Sequence, residues 1–134
     1  MDIPTIQEEL IQRAGFSDEA VAQLREYFAG RRREFTVNLQ LAGTPFQKRV
    51  WEEMRKIPYG QTVTYQELAC RVGNPNAARA VGMACHRNPL PVIVPCHRVV
   101  AAHGKWGGYS LGLAFKQYLL EWERGVLMES HEQS

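Results

Sequence analysis

The stretch TYQELACRVGNPNAARAVGMACH, residues 64–86, decides how this chain is read. Thr64 followed three residues later by Glu67 is a capping box, and it opens a short helix through Leu68 and Ala69 that Gly73 closes. Asn74-Pro75 starts a second helix, over roughly residues 75–86, crowded with the small residues Ala77, Ala78, Ala80, Gly82 and Ala84. A short capped helix, a turn with Gly and a second helix make the helix-turn-helix layout. Small side chains let such a helix press against a phosphate backbone, with Arg79 as its one long cation. The same pattern also describes a tight helical hairpin carrying a solvent-exposed arginine.

Downstream, Val92-Ile93-Val94 is an apolar run followed by Pro95-Cys96-His97-Arg98, which places a thiol, an imidazole and a guanidinium together. A thiolate beside cationic groups has a lowered pKa and is a good nucleophile. A buried structural cysteine is the alternative. Val99-Val100 reads as a short strand, His103-Gly104 as a turn and Gly107-Gly108-Tyr109 as a loop near which a ligand can approach the backbone. The last helix begins near Leu111, turns Phe115, Leu119 and Trp122 inward, and ends at Gly125. Glu123 lies beside that stripe, either on a solvated face or turned in to orient a histidine.

Upstream, Thr44-Pro45-Phe46-Gln47 joins an N-cap, a Pro at the first helical position and a capping-box Gln. The helix it opens buries Phe46, Val50, Met54 and Ile57 and stops at Pro58-Tyr59-Gly60. Residues 5–14 read as a helix through Ile6, Leu10 and Ile11, ended by Gly15. Ser17 caps a second, with Val21, Leu24 and Phe28 on one face and Gly30 as its stop. Arg31-Arg32-Arg33 is either a solvated turn or a DNA contact. Phe35, Val37, Leu39 and Leu41 alternate with polar residues, which predicts a half-buried strand in need of a partner.

Composition bounds the classes. At 134 residues, 45% hydrophobic and 22% charged, the chain is one soluble globular domain. A net charge of +2 confines any basic surface to a local patch. Cys70, Cys85 and Cys96 form an odd set without CxxC spacing, which argues against a disulfide framework or a zinc knuckle and suits a reducing compartment. Met1-Asp2-Ile3-Pro4 lacks the pattern of a secretory signal, and no apolar run approaches a membrane span. A cytoplasmic protein without a membrane anchor is expected.

Residues 44–125 closely resemble the C-terminal, active domain of the O6-alkylguanine-DNA alkyltransferases (methylated-DNA–protein-cysteine methyltransferases). The matching blocks are Gly43-Thr44-Pro45-Phe46-Gln47 with Val50-Trp51, Ile57-Pro58-Tyr59-Gly60, Thr64-Tyr65, Gly73-Asn74-Pro75, Ala77 to Gly82 and Asn88-Pro89. They continue through Ile93 to Val100 and Gly108-Tyr109 before Leu113 and Lys116. Tyr27-Phe28-Ala29-Gly30 is similar to the tail of the family's N-terminal domain. The resemblance implies a mainly α fold with short strands: a winged-helix-like helix-turn-helix DNA-binding domain carrying a buried active-site cysteine. Residues 1–43 are then a short N-terminal extension, a reduced remnant of the family's first domain, and residues 126–134 a C-terminal tail.

It also implies direct, stoichiometric repair by a monomer that binds double-stranded DNA containing O6-alkylguanine and needs no cofactor and no metal. Cys96 takes the alkyl group; His97 accepts its proton through a water; Glu123 orients His97. Arg79 enters the stack where the base was, and Tyr65 helps rotate the phosphate and protonates the leaving guanine. Asn88 matches a hinge asparagine. The backbone carbonyls of Cys96 and Val99, the amide of Ser110, and Tyr109 belong to the guanine pocket. Leu111 replaces a glycine common in the family, at the pocket rim, and the resemblance assigns Trp106 no role beyond packing. Two other readings stay open: an alkyltransferase-like protein that binds lesions without transfer, though such proteins usually have tryptophan in place of the cysteine, and a helix-turn-helix regulatory module. A degenerate, poorly active paralogue is a third.

Overall fold

The computed structural model describes residues 3–13, 16–104, 107–109 and 111–132. Two N-terminal helices, α1 (Ile3–Arg13) and α2 (Asp18–Phe28), precede an extended segment and then α3 (Pro45–Met54). β1 (Val63–Thr64) leads directly into α4 (Tyr65–Arg71), and α5 (Ala78–His86) follows. A loop then reaches a single 3-10 turn at Cys96–Arg98, β2 (Val99–Val100), a second turn at Ala102–Gly104, and the long α6 (Leu113–Glu132).

The caps explain where the helices begin. Ser17 accepts from the Ala20 amide, and Thr44 and Gln47 close a complete capping box with Pro45 in the first turn. At Thr64 the box is half-formed: the Glu67 amide donates to the Thr64 hydroxyl at 3.0 Å, and the Glu67 carboxylate meets that hydroxyl instead of the capping backbone amide. The helix expected from residue 75 starts at Ala78. Asn74–Ala77 is a turn closed by the Ala77 amide on the Asn74 carbonyl, and the Gln66 side chain takes the Pro75 carbonyl at 2.6 Å. That carbonyl is held by a side chain rather than by a helical turn.

Two other expectations are corrected. Residues 35–41 form no strand; the alternation in burial is real, with Val37 buried and its neighbours Thr36 and Asn38 exposed, but the apolar side pairs with helices instead of a sheet. Gly125 does not end the last helix, which runs on to Glu132 and buries Val126. A mid-helix glycine costs about 1 kcal/mol, and the burial of Val126 offsets it.

Two clusters make the core. α3, α4 and α5 enclose Val50, Trp51, Met54, Leu68, Val81 and Ala84, and the Trp51 indole donates to the Ala84 carbonyl at 2.9 Å. The second cluster joins α1 and α2 to α6 through Leu10, Leu24, Tyr27, Phe115 and Leu119, with Val92 and Ile93 from the loop before Cys96. α1, α2 and the segment around Val37 are thus packed on the same body as the helix-turn-helix. β1 and β2 are parallel, with Val63 opposite Val99 and Thr64 opposite Val100. This register sets the start of α4 beside the turn that carries Cys96, and so positions the site.

Candidate active site

Cys96 is free and 4% exposed. It sits at the first position of the 3-10 turn, fixed by its amide on the Val94 carbonyl at 2.8 Å. Asn88, just beyond α5, clasps this loop: its side-chain amide donates to the Val94 carbonyl at 2.7 Å and to Cys96 Sγ at 3.3 Å, while its oxygen accepts from the Leu90 amide. Val92, in the same loop, is held at φ 76°, a conformation costly for a β-branched residue. The loop is shaped by its surroundings rather than by local preference.

The expectation that adjacent cations lower the Cys96 pKa is corrected. Burial pushes the thiol up; Asn88, Lys116 and Tyr109 pull it part of the way back. The neighbouring Arg98 does not serve the sulfur. Its guanidinium turns to Glu123, donating through Nε at 2.9 Å and Nη2 at 3.0 Å, and to the Ile57 carbonyl at 2.8 Å. The resting site therefore holds a thiol, and a base must take its proton.

A histidine is next door. His97 is fully buried, and its Nε2 lies 2.6 Å from Glu123 Oε2. Glu123 is fully buried as well, turned inward on α6. Burial alone would raise its pKa, but His97 and Arg98 outweigh burial and hold the carboxyl well below the usual range. Its Oε1 also accepts from the Gly60 amide at 2.9 Å, and its Oε2 from the Tyr27 hydroxyl at 2.6 Å. Gly60 is needed there: its φ is +79°, and a Cβ would collide with Leu127. With the carboxylate ionised, His97 Nε2 carries the proton, leaving Nδ1 as the lone-pair nitrogen. Nδ1 is buried without a hydrogen-bond partner. Burial also lowers the His97 pKa, so the ring is neutral near pH 7.

A cavity of about 270 Å³ opens onto the sulfur, lined by Tyr65, Gly82, Cys85, His86, Cys96, Gly108 and Tyr109. It is smaller than the sites that hold drug-sized ligands and suits one flat ring system. Tyr65 stands at the first position of α4, half-buried, and Gly107 at φ +71° brings its backbone so close that a Cβ would lie 2.8 Å from the Tyr65 hydroxyl. The Tyr109 hydroxyl is buried near the sulfur; its geometry falls short of a hydrogen bond, yet it is close enough to favour the thiolate. A larger cavity, about 620 Å³, lies behind the same loop against Arg33, Arg55, Lys56, Tyr59 and Arg98 and does not reach Cys96.

The structure thus brings Cys96, His97, Glu123, Asn88, Tyr65 and Tyr109 together. Arg79 lies apart, exposed in the first turn of α5. It precedes Gly82 by three residues and so shares the helix face that forms the cavity mouth. Val99 does not line the cavity; its carbonyl accepts from Lys116 Nζ at 2.7 Å. Ser110 and Trp106 lie outside the described residues. Leu111 packs on the cluster around Phe115 and Leu119, away from the cavity lining. Of the arginine run, Arg32 pairs with Glu26 and Arg33 lies over the Tyr59 ring. Among the described residues no three His, Cys, Asp or Glu side chains could share a metal ion, and no helix is long and apolar enough to cross a membrane.

Several contributors escaped the sequence reading. Lys116 is buried and ties the Val99 carbonyl to the Gly108 carbonyl, and Tyr27, Gly60 and Arg98 complete the Glu123 site. Gly82, Cys85 and His86 were legible as an i, i+3, i+4 face of α5. Tyr27 lies in the stretch similar to the family's N-terminal tail, but nothing along the chain tied it to Glu123.

Comparison with known proteins places this geometry. The model of the 6-O-methylguanine DNA methyltransferase DNA-binding domain matches residues 45–125. A methylated-DNA–protein-cysteine methyltransferase of Methanosarcina acetivorans is 51% identical over 84% of this chain and 72% of its own length. The Mycobacterium leprae protein of that name is 54% identical over 84% of this chain and 68% of its own. Mycobacterium tuberculosis OGT, crystallised in complex with DNA, superposes with a TM-score of 0.79 at 52% identity, over 81% of this chain and 66% of that one. S. pombe Atl1, in complex with damaged DNA containing O6-carboxymethylguanine, superposes with a TM-score of 0.56 at 34% identity, over 63% of this chain and 80% of that one.

Proposed function

The chain belongs to the 6-O-methylguanine DNA methyltransferase family, single-turnover enzymes of DNA repair, and on that premise we propose that Cys96 is the acceptor of an alkyl group from guanine O6. The observation that carries this reading is a buried thiol facing a ring-sized cavity, beside a histidine whose free nitrogen is backed by a buried carboxylate.

The damaged nucleotide leaves the duplex and enters the cavity, at a cost of a few kcal/mol in lost stacking and pairing. His97 Nδ1 receives the Cys96 proton through a bridging water, and Glu123 stabilises the imidazolium. The thiolate attacks the alkyl carbon in line. An S–C bond forms, the C–O6 bond breaks, and its electron pair passes into the guanine ring. Tyr65 supplies a proton to that ring, so the departing base is neutral. The thioether cannot be reversed by any group in the site, and one molecule performs one transfer.

Double-stranded DNA is held by the helix-turn-helix. α5 presents Arg79, Ala80, Met83 and His86 as exposed residues, followed by Arg87 just past its end, with Arg79 placed to fill the gap left by the base. Asn88 acts as the hinge between this helix and the active loop. We assign Tyr109, the Cys96 carbonyl and the Ser110 amide to guanine recognition, residues 44–125 to the working domain, and the cytoplasm as the compartment; the Val99 carbonyl, held by Lys116 away from the cavity, is left out of that set.

Intact-protein mass spectrometry after incubation with an O6-methylguanine duplex tests the reading. A single CH2 increment on the peptide bearing Cys96 supports it; unmodified protein bound to the duplex would instead indicate lesion binding without transfer.

A further inference from the structure

Tyr27 stands on α2, outside the residues 45–125 that match the family's domain, yet its hydroxyl reaches Glu123 Oε2 at 2.6 Å. The same oxygen is the one that meets His97 Nε2 at 2.6 Å and Arg98 Nη2 at 3.0 Å. Both Tyr27 and Glu123 are fully buried. The ring is packed edge-on against Phe28 and Tyr59 and tilted on Phe35, with centroids at 5.1, 6.0 and 5.7 Å, and its carbonyl accepts from the Trp122 indole on α6. The phenol is thus clamped from α2, from the loop before β1 and from α6. Beside an ionised carboxylate it has one chemical option, which is to donate.

A carboxylate oxygen shared among three donors gives each of them less negative charge than it would give to one. We propose that Tyr27 is a positioning residue for the transfer reaction, one that fixes the Glu123 oxygen holding His97 and sets how strongly that oxygen attracts the imidazole proton. This rests on the reading of Cys96 as alkyl acceptor and His97 as its base. The charged and titratable groups around His97 are Glu123 and Lys116 on α6, Arg98 and Cys96 on its own turn, and Tyr27 and Tyr59 behind the carboxylate. Burial and the Glu123 charge keep the Tyr27 phenol far above its ordinary pKa, so its donor role persists at every pH the protein survives.

Losing that donor concentrates the carboxylate on His97 and makes the imidazole more basic. In Tyr27→Phe the His97 pKa, followed by imidazole NMR with the signal assigned from His97→Gln, rises by roughly half a unit to one unit. The acid limb of the pH–rate profile for methyl transfer moves up by the same amount. Tyr27→3-fluorotyrosine, whose phenol is a stronger donor and whose shape is nearly unchanged, moves both the other way. Gln23→Ala is the structural control: it breaks the Gln23 contacts with Thr36 that seat α2, and touches nothing at Glu123. It lowers the melting temperature and leaves the His97 titration in place.

Wild-type titration in both Tyr27 variants overturns the proposal, as does a His97 shift in Gln23→Ala equal to that in Tyr27→Phe. If Tyr27→Phe fails to fold, the fluorotyrosine variant decides alone. A wild-type protein that takes up no methyl overturns the repair reading itself, which separates the two failures.

Discussion

Asn88 holds Cys96 twice over: once at the sulfur, 3.3 Å from its side-chain amide, and once through the Val94 carbonyl two residues earlier at 2.7 Å. One side chain at the end of the recognition helix therefore sets both the path of the active loop and the donor nearest the nucleophile. The end of α5 and the thiol are thus joined through one side chain.

Asn88→Ala should uncouple them. The Val94 carbonyl keeps the Cys96 amide but loses its second donor, and the Leu90 amide loses its acceptor, at about 1 kcal/mol for each hydrogen bond removed. The thiol also loses a group that favours its ionised form, so transfer slows. Denaturant unfolding and single-turnover methyl transfer check the two effects separately, and wild-type values in both would remove the clasp from the mechanism.

Cys96→Ala should abolish transfer and spare lesion binding, because the DNA-facing surface of α5 is untouched. The check is label from O6-methylguanine duplex, measured on protein, beside a binding isotherm for the same duplex. Equal labelling of mutant and wild type would move the acceptor to another residue, with Cys85 in the same cavity the first to examine.

Arg79→Ala should impair repair in duplex DNA more than reaction with free O6-benzylguanine. The free base needs no extrusion, and Arg79 is exposed rather than part of the cavity lining. Rates on the two substrates are the measurement. A proportional loss on both would take the arginine out of base flipping.

Stability should fall in acid, for two reasons of the same sign. Burial holds His97 below its ordinary 6.5, so the unfolded chain binds that proton more readily; the contribution is full above about 6.5 and is lost as pH falls below it. Glu123 is held below its ordinary 4.5, because His97 and Arg98 outweigh its burial, so its contribution is full above about 4.5 and is lost as pH falls towards its folded value. Urea midpoints between about pH 8 and pH 4 should decline, and His97→Gln should flatten the upper part of the slope. A wild-type profile flat across that range contradicts the buried pair.

Much of the fold was legible because its signals are local. Ser17, the Thr44–Gln47 box and Thr64 each place an oxygen where unpaired helix amides need one, and the structure starts helices at all three. Where a distant partner decides the outcome, reading along the chain failed. Phe35–Leu41 has the period of a strand and packs on helices. Gly125 looks like a stop and is carried through by the burial of Val126. Gln66 takes the Pro75 carbonyl and delays α5 by a turn.

For the site the division is sharper. Residue types and their order along the chain set a thiol beside an imidazole and outlined the helix-turn-helix before any fold was in hand, because adjacency and capping are one-dimensional facts; the roles of His97 and Glu123 came from the family resemblance. Only the folded chain could assign Arg98 to Glu123 rather than to the sulfur, bury the thiol and raise its pKa, and bring Tyr27 from 96 positions away onto the carboxylate. Those outcomes depend on desolvation and on which donors share one oxygen, and both are properties of three-dimensional packing.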